Sequence, residues 1–293
     1  MSIEQIANEL FATKPSKTLF HYTSLGALTN ITVEGGLHAT DIHYFNDAAE
    51  MRHFMRLLHV EIGRRLELAS VKEKVLCQFR EWTSHRLSDG NMVFVTSFTE
   101  NGNLLSQWRG YCPVGKGLSL GFSPQLVMRC AERQSFQVGK CIYDSSQQQT
   151  IVTRVIEAVI TISREHGEAG PHKKHPTQSF HHVFEVIENT LLCIGALIKD
   201  PSFREEEEWR AVSPALTNYV EAPIRYREGT SMLIPSILFS LKDGNDSALR
   251  FEHVFVGPTP NVNLSMNSLS RFLAMRRVGT ISVEYCGIPF RAW

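Results

Sequence analysis

Residues 203–212 read FREEEEWRAV, a run of four carboxylates that leads directly into a tryptophan, an arginine and an apolar pair. Acid runs are usually solvated, whereas WRAV favours a pleated, half-buried strand. If 206–212 is a strand, its period of two places Glu206, Glu208 and Arg210 on one face and the tryptophan on the other. The stretch therefore predicts either a strand that holds two carboxylates beside a guanidinium, or an exposed helix start or edge strand that tolerates acids.

The chain around this stretch is helical in its middle and mostly extended towards its end. Its patterns predict extended segments or strands at 19–22, 37–44, 92–98, 117–122, 136–143, 206–212, 219–226, 231–241, 250–256 and 280–286. They predict helices at about 25–34, 47–86 with a break near 69–70, from 123–124 onward, 146–167, 178–198 and 265–276. We expect an α+β fold with a mixed or mostly antiparallel sheet. We expect a single domain over 1–293, with helix-rich insertions at about 47–88 and 146–198.

Composition predicts an ordinary cytoplasmic protein. Thirty basic residues balance thirty acidic ones, so no net field draws the chain to nucleic acid or to a membrane, although a local basic patch is compatible with this balance. Six scattered cysteines without a CxxC pair argue against structural zinc and suggest buried thiols in a reducing compartment. No apolar run approaches the roughly 20 residues that span a bilayer, and the N-terminus does not resemble a signal peptide.

Three further segments concentrate polar and aromatic side chains. FHYTSLGAL (20–28) places His21 and Tyr22 at a strand end, where they either face a cleft or pack in the core. LHATDIHYFNDAAE (37–50) contains Tyr44 beside several acids, some of which a helix cap at Asn46 or Asp47 explains. In SQWRGY (106–111), Arg109 lies between Trp108 and Tyr111. It either clamps an anion beside a flat ring, or it is a stacked surface arginine next to a tryptophan in the core. A His-rich loop after residue 166 has no standard metal spacing and is interpreted as solvated.

Together these motifs resemble the bacterial family of unknown function DUF2971. The resemblance covers most of the chain and rests on HYTSLGAL, LHATDIHYFNDAAE, VTSFTENGNLLSQWRGY with the following GKGLSLGF, FREEEEWRAV, and the ending from VGPTP to VEYCGIPFR. Membership of this family implies no activity.

A more distant resemblance does imply an activity. The order of a His-Tyr-Thr strand, a helix, a GGL strand and a late acidic strand is similar to ADP-ribosyltransferases of the DNA-modifying toxin type. By position, this similarity implies an NAD site in which His21 holds a ribose and Tyr44 or Tyr22 stacks on nicotinamide. Glu206 or Glu208 would be the catalytic acid. Arg109, with Trp108 beside it, would contact the pyrophosphate. The helical middle of this chain is larger than that pattern expects.

Two other classes of function fit the same residues. A non-enzymatic binding or regulatory module would use SQWRGY as an interface, because Trp, Tyr and Arg are frequent interface anchors. A metal-dependent nuclease would need carboxylates such as Asp41, Asp47 and Glu206 to converge. The three are distinguished by geometry: the NAD enzyme needs His21, a tyrosine and an acid around one cleft. The sequence leaves the acceptor of ADP-ribose open between protein, nucleic acid and water, and a toxin or phage-defence role stays a hypothesis.

Overall fold

The computed structural model describes residues 2–45, 50–68, 74–89, 91–168, 179–216, 218, 222–229, 231–244 and 248–288. The helices in these segments are α1 (Ile3–Leu10), α2 (Leu25–Glu34), α3 (Glu50–Leu68), α4 (Lys74–Asp89), α5 (Leu105–Tyr111), α6 (Pro124–Arg133), α7 (Ser145–His166), α8 (His181–Gly195) and α9 (Val262–Met275). The strands are β1 (Leu19–Ser24), β2 (Gly36–Asp41), β3 (Phe94–Thr99), β4 (Gly117–Phe122), β5 (Gln137–Lys140), β6 (Glu208–Val212), β7 (Arg225–Glu228), β8 (Leu233–Ser240), β9 (Arg250–Val256) and β10 (Gly279–Tyr285). Short 3₁₀ helices cover Ile42–Tyr44 and Pro201–Glu206.

The strands form one mixed, mostly antiparallel sheet, which confirms the predicted α+β class. Its main path runs β10-β9-β4-β1-β3-β2-β8-β7, and β6 joins it by pairing with both β3 and β5. Among the named strands, β9 and β10 are the parallel pair, and the other pairs are antiparallel. The predicted strands at 19–22, 92–98 and 206–212 correspond to β1, β3 and β6, and β3 pairs with both of the others.

The sheet forks at β3. Strand β6 pairs along β3 from Val95 to Thr99. The other edge of β3 is shared, because β1 meets it at Thr99 while β2 meets it at Phe94 and Val95. An edge that two strands share must open between them, since each strand pairs only with one end of it. The fork thus leaves room for a cleft over the middle of β3.

Two apolar cores flank this sheet. One lies among α1, α3, α4, α7 and α8, and the other lies under α2, α6 and α9. Strand β6 is buried along its whole length between them. Trp209 packs in the second core, on the face of β6 opposite to Glu208 and Arg210, as the period of two predicts.

Local capping chemistry confirms several predicted boundaries. Helix α2 spans the predicted 25–34, because the Ser24 hydroxyl accepts from Ala27 N and Gly35 adopts the left-handed conformation at its end (φ 75°). Ser123 likewise caps α6, whose first residue is a proline. Helices α3, α4, α7 and α8 occupy the spans predicted as helical insertions, whereas the single domain over 1–293 stays a prediction. The proposed caps Asn46 and Asp47 lie outside the described residues.

Several predicted strands are shorter than expected, among them 136–143, observed as Gln137–Lys140, and for two others the cause is local. The strand predicted at 206–212 begins at Glu208, because Asp200 caps a 3₁₀ helix with Pro201 in its first turn, and Glu207 then turns the chain in the left-handed region (φ 43°). The segment 37–44 leaves the sheet at Asp41, whose side chain accepts from His43 N and starts another 3₁₀ turn. Both corrections arise from aspartate caps that strand periodicity does not detect.

The described helices include none with the length and apolar character that a membrane crossing requires. All six cysteines are free thiols. Cys77 is exposed and Cys112 is half-buried, so the prediction of buried thiols holds for the other four.

Strand β8 approaches β2 so closely at Gly36 that any side chain there would be strained. A Cβ at Gly36 would lie 2.4 Å from the Phe239 carbonyl oxygen, which belongs to backbone that cannot easily move. We expect Gly36→Ala to lower the free energy of unfolding in urea by about 1–3 kcal/mol. Gly63 in α3 is the matched control, because nothing lies within 4 Å of the place that an alanine methyl group would take there, and alanine favours a helix. Equal effects of the two substitutions would contradict the close-approach argument.

Candidate functional site

A cleft of about 550 Å³ opens at the fork of the sheet. This is within the volume range of small-molecule sites. Five of the seven predicted site residues line it: His21, Tyr22, Tyr44, Glu206 and Glu208. The predicted convergence of a first-strand histidine, a tyrosine and an acid on one cleft is therefore present.

Glu208 is the centre of a buried ion network beside the cleft. Arg210 binds it with two hydrogen bonds, Nε to Oε1 at 2.8 Å and Nη2 to Oε2 at 3.1 Å, and Lys199 Nζ also donates to Oε2. Burial alone would raise the pKa of the Glu208 carboxyl, but Arg210 and Lys199 hold that pKa well below its usual range. Glu208 is therefore ionised at neutral pH and is rigidly held.

Glu206 reaches the same lysine from a different backbone setting. It is the last residue of the 3₁₀ helix, yet its Oε2 accepts from Lys199 Nζ, and its Oε1 accepts from the Tyr111 hydroxyl at 2.9 Å. Its side chain is 13% exposed against 6% for Glu208. Tyr111 is 45% exposed, so its hydroxyl is a partner that a ligand can replace. Glu206 is thus the more accessible of the two acids.

Lys199 is the main site residue that sequence analysis missed. It follows the apolar run LLCIGALI, and its side chain is only 3% exposed. A lysine is almost never this buried unless it is paired. The sequence contains one indication, a lysine at the end of an apolar run and a few residues before an acid run. Only the folded chain shows that the two carboxylates share the ammonium group of this lysine.

Arg210 joins the network to the helical layer. It is fully buried, and its Nη1 donates to the Ala196 carbonyl oxygen at 2.7 Å. Its guanidinium also lies 5.5 Å from the centre of the Phe45 ring. Arg210 shares a face of β6 with Glu208, as predicted, and pairs with it. Glu206 lies before the strand, so its predicted place on the same strand face is wrong.

His21 lies across the cleft as a neutral imidazole. Its Nδ1 is 2.9 Å from the Ser97 carbonyl oxygen, which can only accept, so Nδ1 carries the proton. Burial lowers the pKa of His21, and the Ser97 carbonyl offsets this in part. Within the described residues, Nε2 has no hydrogen-bond partner. A bare ring nitrogen in a cleft can accept from a ligand hydroxyl.

The two tyrosines considered for stacking, Tyr22 and Tyr44, differ in how far their side chains are already engaged in contacts with the protein. The Tyr22 hydroxyl donates to the Asn101 carbonyl oxygen at 3.0 Å and accepts from Leu104 N at 2.7 Å. Its ring is also packed edge-on against Trp108 at 4.8 Å. Tyr44 is 36% exposed and ends a 3₁₀ turn at the cleft. Tyr44 is therefore the better placed to stack on a ligand.

Trp108 and Arg109 do not take the positions expected for a clamp. Neither lines the cleft. Trp108 is buried, and its Nε1 donates to Asn103 Oδ1 at 3.0 Å, so it supports the wall behind Tyr22. Arg109 is exposed and Trp108 is in the core, which agrees with the alternative of a surface arginine next to a core tryptophan. A pyrophosphate contact by Arg109 stays a prediction. Helix α5, which the sequence patterns did not predict, sends these adjacent residues in different directions.

Of the acids proposed for a nuclease, Glu206 lines the cleft and Asp41 does not. Asp41 accepts from His43 N and pairs with the His43 ring at 2.7 Å, and it does not line the cleft. Asp47 lies outside the described residues. In the segments that the structure describes, no three His, Cys, Asp or Glu side chains are grouped as metal ligands.

The buried network predicts strongly non-additive stability effects. We expect Arg210→Met to lower the free energy of unfolding by about 3–5 kcal/mol, because Glu208 loses its bidentate partner inside the protein. Glu208→Leu should cost a similar amount, because the buried Arg210 loses its carboxylate partner. The double variant should lose clearly less than the sum, since Lys199 still pairs with Glu206. Urea denaturation of all four proteins measures this, and additive losses would show that Arg210 and Glu208 act independently.

Comparison with known proteins gives one family match. No curated protein and no solved structure matches the chain. The similarity to ADP-ribosyltransferases is not supported by any match and stays a prediction. The model of the family DUF2971, described as a protein of unknown function, matches residues 107–211, from α5 through most of β6. The resemblance to DUF2971 predicted from the sequence is thereby confirmed over this part of the chain, which includes Glu206, Glu208, Lys199 and Arg210.

Proposed function

We propose that the protein is an NAD-using enzyme, an ADP-ribosyltransferase or a related NAD hydrolase. The observation that supports this proposal is the single cleft whose lining includes His21, Tyr44 and Glu206. These are a hydroxyl acceptor, an aromatic ring and a carboxylate, the three elements that the similarity to ADP-ribosyltransferases implies. Such an enzyme would suit a toxin or phage-defence effector, because it consumes NAD or modifies a cellular acceptor.

The chemistry needs one well-placed negative charge. The bond between nicotinamide nitrogen and ribose C1′ breaks, and nicotinamide leaves as a neutral molecule with the bonding electron pair. Positive charge develops on the ribose, and a nearby carboxylate stabilises it, as in glycoside hydrolysis. The acceptor, which is a side chain, a nucleic acid group or water, then bonds to C1′ and loses a proton. No general acid is required for the departure of nicotinamide.

Within this proposal, the negatively charged Glu206 carboxylate is the catalytic group, and Glu208 supports it. Both oxygens of Glu208 are bound by buried cations, so its charge is largely compensated where it lies. Glu206 shares Lys199 and has the exposed Tyr111 hydroxyl as its other partner. A substrate hydroxyl that takes the place of Tyr111 would keep that hydrogen bond and bring the sugar to the carboxylate. Glu208 then fixes Lys199, and Lys199 holds the Glu206 carboxylate in place.

His21 and Tyr44 position the substrate in this scheme. The neutral His21 ring accepts through Nε2, which suits a ribose hydroxyl donor. The Tyr44 ring gives a flat apolar surface for nicotinamide. Tyr22 forms the fixed wall between them and the core, because its hydroxyl is already committed to backbone partners.

A non-enzymatic binding module is the second candidate. The compensation of the acids by Lys199 and Arg210 favours it, because a catalytic carboxylate acts through charge that its surroundings have not cancelled. Its predicted interface, however, is only partly exposed: Gln107 and Trp108 are buried, and Tyr111 extends over Glu206. Binding of a ligand in the cleft without turnover would distinguish this candidate from the enzyme.

We expect Glu206→Gln to lower the rate of nicotinamide release from NAD by roughly 10²–10³-fold, as the loss of one preorganised transition-state contact does. The amide keeps size and hydrogen bonding but removes the charge. Nicotinamide is measured chromatographically with purified protein, alone and with candidate acceptors. Glu208→Gln is the poorer test, because it leaves buried Lys199 and Arg210 undercompensated and destabilises the fold.

The matched control for this substitution is Glu205→Gln. Glu205 has the same chemistry one residue earlier, but it is exposed and does not line the cleft. Its rate should equal that of the wild type. Equal rates for Glu206→Gln and the control would remove Glu206 from catalysis. A wild-type protein that binds NAD in calorimetry but releases no nicotinamide would favour the binding module, and a protein that does neither would overturn the NAD proposal.

We expect His21 and Tyr44 substitutions to affect NAD binding more than the chemical step. His21→Ala removes a hydroxyl acceptor and should raise KM with little change in kcat. Tyr44→Ala should do the same by removing the stacking surface, whereas Tyr44→Phe keeps the ring and should bind NAD as well as the wild type. Calorimetry measures the affinities. A Tyr44→Phe variant as weak as Tyr44→Ala would mean that the hydroxyl, not the ring, contacts the ligand.

A further inference from the structure

A second concavity lies on the helical layer, between α3 and α4. It measures about 820 Å³, and four arginines line it: Arg52, Arg56, Arg64 and Arg80. We call it the arginine groove. Gly63 lies in its floor, with nothing within 4 Å of the place where a Cβ would be. Among the lining residues Glu67 is the one acid.

Two of the four arginines in the arginine groove have no charge partner among the described residues. The side chains of Arg52 and Arg80 have no ion-pair or hydrogen-bond partner in the part of the chain that the structure describes. Arg56 donates to the His53 ring at 2.8 Å and lies 3.9 Å from an Asp200 carboxylate oxygen, a distance that leaves most of its charge available. Arg64 is bound by both oxygens of Glu61, so it adds little.

His59 does not add to this charge at neutral pH. Its Nε2 lies 3.0 Å from the Thr83 hydroxyl. Burial lowers the pKa of His59, and the neighbouring Arg80 lowers it further. The available cations are therefore Arg52 and Arg56 on one wall and Arg80 on the other.

We propose that the arginine groove binds the phosphate backbone of a nucleic acid. A guanidinium matches phosphate oxygens in a planar, bidentate way. Arg52 and Arg56 are one helical turn apart, about 6 Å along α3, and Arg80 faces them from α4. Charges spread along a groove and over both walls exceed what a single phosphate can contact, so a polymer with repeated phosphates fits them better than a phosphopeptide.

The lining of the groove favours nucleic acid over a membrane surface. Membrane-surface helices present several large apolar residues beside their cations. Here the apolar lining consists of Met55 and Val60. The groove lacks an aromatic platform among its lining residues, so we expect contacts with phosphates rather than stacking on bases, and little dependence on base sequence.

The groove and the cleft are joined by a short path of contacts. Arg56 approaches Asp200, which caps the 3₁₀ helix Pro201–Glu206 and adjoins Lys199 in the chain. A strand held at the Arg56 end of the groove would therefore lie beside the segment that carries the cleft acid. The proposal itself concerns binding alone and does not require NAD chemistry.

The test is fluorescence anisotropy with labelled oligonucleotides of mixed sequence, single-stranded and duplex, over a range of salt concentrations. We expect the wild type to bind at least one form, with affinity that falls as salt rises. Arg52→Gln/Arg80→Gln should weaken binding about tenfold or more at low salt. It should also make the slope of log K against log salt shallower by about two, one for each lost phosphate contact. Glutamine is a good helix former, so the fold should be retained.

The matched control is Arg271→Gln/Arg276→Gln, on α9 and at its C-terminal cap. It removes the same two charges from exposed arginines outside the groove, and it should bind as the wild type does. The proposal is overturned if the wild type binds neither oligonucleotide at low salt, or if the two double variants bind equally. Two other probes are a singly phosphorylated peptide and an anionic phospholipid vesicle. The proposal is also overturned if either one binds more tightly than both oligonucleotides and if Arg52→Gln/Arg80→Gln weakens that binding equally.

Discussion

The shared ammonium group of Lys199 is the interaction on which the candidate site depends. Two carboxylates and two cations are buried together, an arrangement that is stable only when every charge is compensated. The network also ties separate parts of the chain. Arg210 reaches the carbonyl oxygen of Ala196, and Lys199 N donates to Ile142 O, while Gln148 binds the Lys199 carbonyl. Strand β6, the end of α8 and the start of α7 are thereby held in one register.

The fork of the sheet creates the cleft that this ion network borders. Because β6 occupies one whole edge of β3, β1 and β2 must divide the other edge, and the gap between them becomes the cleft. His21 enters from β1 and Tyr44 from the turn after β2. The Ser97 carbonyl oxygen in the middle of β3 then bonds the His21 ring. The pairing of β6 with β3 therefore both buries Glu208 and opens the cleft that Glu208 lines.

Sequence patterns predicted the parts of this arrangement that local chemistry controls. Ser24 and Gly35 fixed the limits of α2, and the period of two placed Glu208 and Arg210 opposite the tryptophan, as the structure confirms. Lys199 was missed because burial of its side chain depends on strands that are distant in sequence. The exposure of Arg109 was not predicted, because the helix that carries it was not predicted. Glu206 was visible in the sequence as one acid of the run, but its 3₁₀ setting depends on the Asp200 cap.

The zero net charge of the chain conceals two opposite electrostatic settings. Beside the cleft, each buried cation is bound by a carboxylate, so the site presents compensated charge with Glu206 at its edge. In the arginine groove, Arg52 and Arg80 lack such partners in the described structure, and Glu67 is the one lining acid. Recognition of anions depends on where uncompensated cations lie and not on their sum. A neutral total therefore argues against non-specific attraction of nucleic acid to the whole surface, while it leaves a local site on α3 and α4 fully compatible with the composition.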